Sequence, residues 1–180
     1  MEKYLFMKNI LICGPPGVGK TTLIQKVLKK VNLKAGGFYT EEIKEKSNRV
    51  GFKIISLDNQ EGILAHITIK GIKRVGRYGV NIYDLENIGV KSLDRALKND
   101  SLIIIDEIGK MEIFSDKFKE KVLDCLNSEK LVLATIGIGG DKFIFKIRER
   151  NDVIIFKMNR ENRDKLMDKV LSLILKENLK

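Results

Sequence analysis

The sequence has little of what divides or staples a chain. Its 180 residues include two prolines, two cysteines and one histidine, and the fifteen glycines do not gather into a linker. No Pro/Gly-rich stretch, internal repeat or low-complexity tract interrupts it, so a single domain over 1–180 is expected, a length that supports one core. Cys13 and Cys125 are too few for a disulfide framework and do not form a metal-binding pair. His66 has no cysteine or histidine partner at ligand spacing, so its expected role is structural. No apolar run reaches the roughly 20 residues that a bilayer-spanning helix needs. Met1 to Asn9 carries Lys3 and Lys8 and lacks an apolar stretch ending in a cleavage site, so it does not read as a signal peptide. A cytoplasmic protein with buried thiols and no membrane partner is expected.

Acidic residues are also in deficit, 24 against 34 basic ones, which leaves a net charge of +10. That balance permits anionic substrates and nucleic acid alike. Thermophile surfaces rich in lysine and glutamate ion pairs produce the same texture, so charge alone selects neither.

Strand-like and helix-like patterns alternate along the chain. Asn9 to Cys13 is a short apolar run that reads as a buried parallel strand. From Lys20 a helix follows, with Leu23, Ile24, Val27, Leu28 and Val31 on one face. Ala35 to Tyr39 reads as a second short strand. Over about 49–69 the apolar period falls to two around a turn at Asp58 to Gly62, the pattern of a β-hairpin insertion. Gly71 to Val80 reads as a basic, glycine-punctuated loop, and Leu85 to Leu97 as a helix. Leu102 to Ile105 is the most apolar strand. A helix around Phe118 to Leu126, a strand Leu131 to Ile136, a helix Asp141 to Arg150, a strand Val153 to Phe156 and a closing helix complete the pattern. Such alternation predicts a mainly parallel α/β sheet covered on both faces, with ligands at the carboxyl edge of the strands.

Gly14-Pro15-Pro16-Gly17-Val18-Gly19-Lys20-Thr21 fits G-x-x-x-x-G-K-[ST] at every position, between an apolar strand and an amphipathic helix. Glycines let the backbone wrap a phosphate so that successive N–H groups point inward, and the helix start adds its dipole. Lys20 is expected on the β- and γ-phosphates, Thr21 on Mg²⁺, and Thr22 near the α-phosphate. Asp106 and Glu107 end the most apolar strand, where Asp106 is a second expected Mg²⁺ ligand. Glu107 is then placed to polarise a water attacking the γ-phosphate. An Asp-Glu pair looks like the hydrolytic division of P-loop proteins rather than the nucleotide kinases. That division inserts a strand between the two motif strands. Leu131 to Ile136 is the candidate, with Thr135 at its end as a γ-phosphate sensor.

At this point the chain resembles the small nucleoside-triphosphatase family first described in thermophiles, which has a human cancer-related relative. The carrying blocks are Gly14 to Leu23, Gly37-Phe38-Tyr39-Thr40-Glu41-Glu42, Tyr78-Gly79-Val80-Asn81, Asp106-Glu107-Ile108-Gly109-Lys110-Met111-Glu112 and Glu161-Asn162-Arg163. One departure is Gly137-Ile138-Gly139-Gly140, where the family usually has proline after the Ala134-Thr135-Ile136 strand end. The resemblance implies a three-layer, RecA-like fold. It also implies Mg²⁺-dependent hydrolysis of ATP, GTP and other nucleoside triphosphates to diphosphates with loose base selectivity.

Further candidates are weaker in pattern. Lys110 is a candidate cation for charge developing on the γ-phosphate, with Arg74 and Arg77 as the other choices. Asn162 and Arg163 follow the last strand, where a guanidinium plane can stack on any base, although capping by Asn159 competes with that role. Thr40, Glu41 and Glu42 follow the second strand and either approach the metal or form a solvated acidic turn. Two readings compete with hydrolysis: a nucleotide kinase, and a nucleotide-switched nucleic-acid module using Lys142, Lys146, Arg148 and Arg150 with Phe143 and Phe145. Nucleic acid is thus permitted as a partner but not indicated, and a monomer acting on nucleoside triphosphates is expected.

Overall fold

Parallel strands buried on both faces need a continuous apolar sequence, and the five short apolar runs supply it. They form β1 (Asn9–Cys13), β2 (Ala35–Glu45), β7 (Leu102–Ile108), β8 (Leu131–Ile136) and β9 (Val153–Lys157) in a computed structural model. The structure describes residues 8–139 and 141–177. The signal-peptide reading of Met1 to Asn9 therefore falls mostly outside the described residues, and so does Gly140 of the departing loop.

The remaining strands, β3 (Asn48–Ser56), β4 (Glu61–His66), β5 (Arg74–Val75) and β6 (Tyr78–Val80), are antiparallel. The sheet order is β5-β6-β4-β3-β2-β7-β8-β1-β9. The expected hairpin at about 49–69 is thus present as β3 and β4, but it does not stand apart. β2 runs on past Tyr39 to Glu45 and pairs with β3, which makes the hairpin part of a meander continuous with the parallel strands. Gly71 to Val80, expected as a loop, holds the small hairpin β5–β6, turned at Gly76 with φ +56°. Its strands are two and three residues long, too short to leave a period in the sequence.

Side chains alternate across the parallel strands, so each strand feeds two cores. Ile10, Ile12, Leu102, Ile104 and Leu133 pack with helices α1 (Lys20–Lys30) and α6 (Arg163–Glu177) on one face. Leu11, Cys13, Ile103, Ile105, Val132 and Ala134 pack on the other face. There they meet α3 (Lys91–Asn99), α4 (Asp116–Asn127) and α5 (Lys142–Arg148). Before α3 the chain makes a helical turn α2 (Ile82–Asp84) and a π-helical turn, Leu85–Val90, so the helix expected over Leu85 to Leu97 is real but irregular. The result is a three-layer α/β fold. β8 lies between β1 and β7, as the Asp-Glu motif predicted.

Candidate active site

Because β1, β2, β7, β8 and β9 are parallel, their carboxyl ends share one edge, and the motif residues meet there. The loop after β1 leaves Pro15, Pro16 and Gly17 exposed, while buried Val18 anchors it. Gly17 and Gly19 adopt φ +73° and +103°, values that a side chain disfavours. A Cβ on Gly14 would lie 2.6 Å from the Met158 carbonyl, so the loop is pressed against the end of β9. Helix α1 opens at Gly19 with no side-chain cap and no acidic residue in its first turn. Its first amides and its positive dipole end are left for an anion.

Two carboxylates face this loop. Asp106 is 1% exposed and accepts from the Thr21 hydroxyl at 2.6 Å and from the Thr135 hydroxyl at 2.7 Å. Burial pushes its carboxyl up, while those two hydroxyls, the Thr40 amide and the Lys20 ammonium pull the other way. Glu107 keeps about a third of its side chain exposed and lies 3.8 Å from the Lys20 ammonium. Burial raises its carboxyl as well, Lys20 opposes that, and the neighbouring Asp106 adds to it. Neighbouring residues of a strand ordinarily point to opposite faces. Here the β7–β8 register slips between Ile105 and Ile108, so β7 carries one extra residue and both carboxylates turn to the loop. The Asp106–Glu107 peptide bond is cis. Lys20 also donates to the Gly14 carbonyl at 3.0 Å, so one ammonium links the loop to Glu107.

The donor set suits a hard divalent cation. A carboxylate and a hydroxyl stand 2.6 Å apart at the strand edge, and Mg²⁺ prefers oxygen ligands, taking one or two from protein and the rest from phosphates and water. Among the described residues no cluster of three or more His, Cys, Asp or Glu side chains forms a metal cage, so the nucleotide would have to complete the shell.

Several expected residues take other positions. Thr135, read as a γ-phosphate sensor, is fully buried with its hydroxyl turned to Asp106, where it braces that carboxylate. Arg74 donates to the carbonyls of Ile69 and Arg77, and Arg77 donates to that of Arg49. Both sit on the β5–β6 hairpin at the sheet edge farthest from β1. Glu42 is taken up by Lys44 at 3.0 Å and Arg49 at 2.8 Å, the first of which contributes most to lowering its carboxyl. Lys110 is exposed in the loop after β7 and makes no ion pair or hydrogen bond among the described residues. Asn162 works as a cap: its side chain accepts from the Asn159 amide and donates to the Lys157 carbonyl. Arg163 is exposed at the start of α6. His66 meets Thr68 at 2.7 Å, a structural contact. On α5, Ile144 and Ile147 are buried, while Phe145 stays exposed. Arg150 is paired with Asp152 at 2.6 Å, which occupies part of the expected basic cluster.

One residue of the Asp106-to-Glu112 block received no role from the sequence. Glu112 opens the 3₁₀ turn Glu112–Phe114, is 5% exposed, and has its carboxyl pushed up to about 8, mainly by burial and then by Glu107. A glutamate within the apolar run Ile108, Met111, Ile113 and Phe114 was the available signal.

Comparison with known proteins agrees with this geometry. The NTPase family model matches residues 9–171. The chain belongs to that family, enzymes that hydrolyse nucleoside triphosphates. It is 56% identical to the nucleoside-triphosphatase THEP1 of Thermotoga sp. (strain RQ2) over 92% of this chain and 95% of the relative. The crystal structure of THEP1 from the hyperthermophile Aquifex aeolicus superposes with a TM-score of 0.85 at 37% identity, covering 92% of this chain and 98% of that one. The solution structure of a human cancer-related nucleoside triphosphatase gives 0.77 at 33% identity, covering 92% and 96%. The family's three-layer P-loop fold is therefore shared along most of this chain. No helix among the described residues is long and apolar enough to cross a membrane.

Proposed function

We propose that this chain hydrolyses nucleoside triphosphates to the diphosphate and phosphate, with Mg²⁺ and loose choice of base. The observation that carries the reading is the pair of neighbouring carboxylates facing the phosphate loop, Asp106 on Thr21 and Glu107 beside Lys20. In the proposed reaction the loop amides and the start of α1 hold the phosphates. Lys20 balances negative charge on the β- and γ-phosphates. Thr21 and Asp106 are the residues that would hold Mg²⁺, which when bound supplies neutralisation of charge on the phosphate oxygens. Glu107 orients a water and takes its proton as the water oxygen bonds to the γ-phosphorus. The bond to the bridging oxygen then breaks and the diphosphate leaves. Lys110 is the nearest candidate in sequence for a further cation on the transferring group. Arg163, at the start of α6 just beyond β9, is proposed to lie against the base, with Asn162 fixing the turn from which it projects. The same reading has the enzyme working as a monomer in the cytoplasm, where its two buried free thiols stay reduced.

Phosphate release measured over the common nucleoside triphosphates, with Mg²⁺ and with EDTA, tests this reading. Release from purine and pyrimidine substrates in Mg²⁺, and none in EDTA, is expected. Phosphate release that requires an added nucleoside or nucleoside monophosphate, with label passing to that acceptor, would make the chain a kinase instead.

A further inference from the structure

Gly109 separates two carboxyl groups. A Cβ at that position would lie 2.9 Å from Oε1 of Glu107 and 2.9 Å from Oε2 of Glu112. The two oxygens are therefore less than about 6 Å apart, a range in which two carboxylates disfavour joint ionisation. Glu112 is buried on the 3₁₀ turn that folds back after β7, and its backbone is tied down because Ser115 N–H donates to its carbonyl at 3.1 Å. No cation pairs with it among the described residues. A buried glutamate without a cation is costly and needs a reason to be there.

We propose that Glu112 is a positioning residue for Glu107, a buried carboxyl that directs its acid hydrogen toward the Glu107 carboxylate across the open face of Gly109. This rests on Glu107 being the group that orients the attacking water. The groups that face Glu112 are the Glu107 and Asp106 carboxyls of β7 and the amides of Gly109 and of Glu112 itself. The amides favour the ionised form, but burial and the two carboxyls outweigh them and keep the proton on Glu112 at neutral pH. Held that way, Glu112 gives Glu107 one fixed partner on the side away from Lys20. The glutamate is then kept in a single orientation while its other oxygen stays available for water. Gly109 has no positive φ to explain it; the two carboxyls occupying its side-chain position do.

The test is a double-mutant cycle in the full-length enzyme, read as kcat and KM for Mg-ATP. E112L puts an apolar isostere in a buried site and is expected to fold at least as well as the wild type, which thermal unfolding checks. Its kcat should fall about 10- to 100-fold, the cost typical of a misplaced catalytic group, with KM nearly unchanged. E112Q, which retains a donor, should lie at least about fivefold above E112L in kcat, because a hydrogen-bonding partner is restored. The double variant E107Q/E112L should turn over no more slowly than E107Q alone, because a positioning residue has nothing left to position. Losses that multiply in the double variant, or E112L turnover within about threefold of wild type, overturn the proposal. If E107Q also retains turnover, the hydrolytic role of Glu107 fails with it. If E107Q loses turnover while E112L keeps it, only the positioning role fails.

Discussion

Asp106, Glu107 and Glu112 are three carboxyls at one site whose surroundings make them different acids. Asp106 is buried but receives two hydroxyls and an amide, and Lys20 is near. It is prepared to stay charged once a cation arrives. Asp106→Asn should therefore raise the Mg²⁺ concentration for half-maximal activity, checked by titrating Mg²⁺ at saturating nucleotide. A titration that overlays the wild type would leave Asp106 with a structural role. Glu112 has only amides to favour its charge, and burial lifts it to about 8. A carboxyl raised in the folded state contributes stability below its unfolded value, near 4.5, and loses it as pH rises toward the folded value. In EDTA, the Tm of Glu112→Gln relative to wild type should climb from pH 5 to about pH 8 and level off above that. A pH-independent difference would mean that Glu112 titrates normally. The phosphate loop was legible because consecutive residues write it. Glu112 was not, since its burial depends on a turn folding back onto β7.

At the scale of elements, glycine contacts show how tightly β2 is fitted. Gly37 on β2 has φ +107°, and a Cβ there would come within 2.0 Å of the Ile104 carbonyl on β7. Gly37→Ala should destabilise the fold by about 2 kcal/mol or more, since it combines backbone strain with a clash against backbone. Turnover should fall with it, because the Thr40 amide three residues later faces Asp106. Thermal unfolding and phosphate release check both, and a Tm within a degree of wild type would show that the two strands can part without cost. Long, strongly periodic elements such as α1 and α4 were readable from their apolar spacing. The β5–β6 hairpin and the extension of β2 were not: the hairpin strands are two and three residues long, too short to leave a period, and the extension Thr40 to Glu45 is polar and largely exposed, with no clear apolar alternation. The role of Asn162 was half legible: Asn159 and Asn162 just before a helix are a capping pattern, and the structure uses it.

For the molecule as a whole, strand order joins chemistry to fold. The Asp-Glu pair called for a strand between β1 and β7, and β8 lies there, bringing Thr135 onto Asp106. The parallel half of the sheet builds the site, while the antiparallel half extends β2 outward. The central claim is that Glu107 organises water for attack on a nucleotide held by other residues. Glu107→Gln tests it most directly, with fluorescent-nucleotide binding and phosphate release measured on one preparation whose Tm matches the wild type. Lys20, Thr21 and Asp106 are intact in that variant, so binding should stay near wild type. Turnover should drop by about 10²- to 10⁴-fold, the usual worth of a positioned proton acceptor. Turnover reduced by less than about tenfold, with binding unchanged, would contradict the account and move the search for the catalytic group elsewhere.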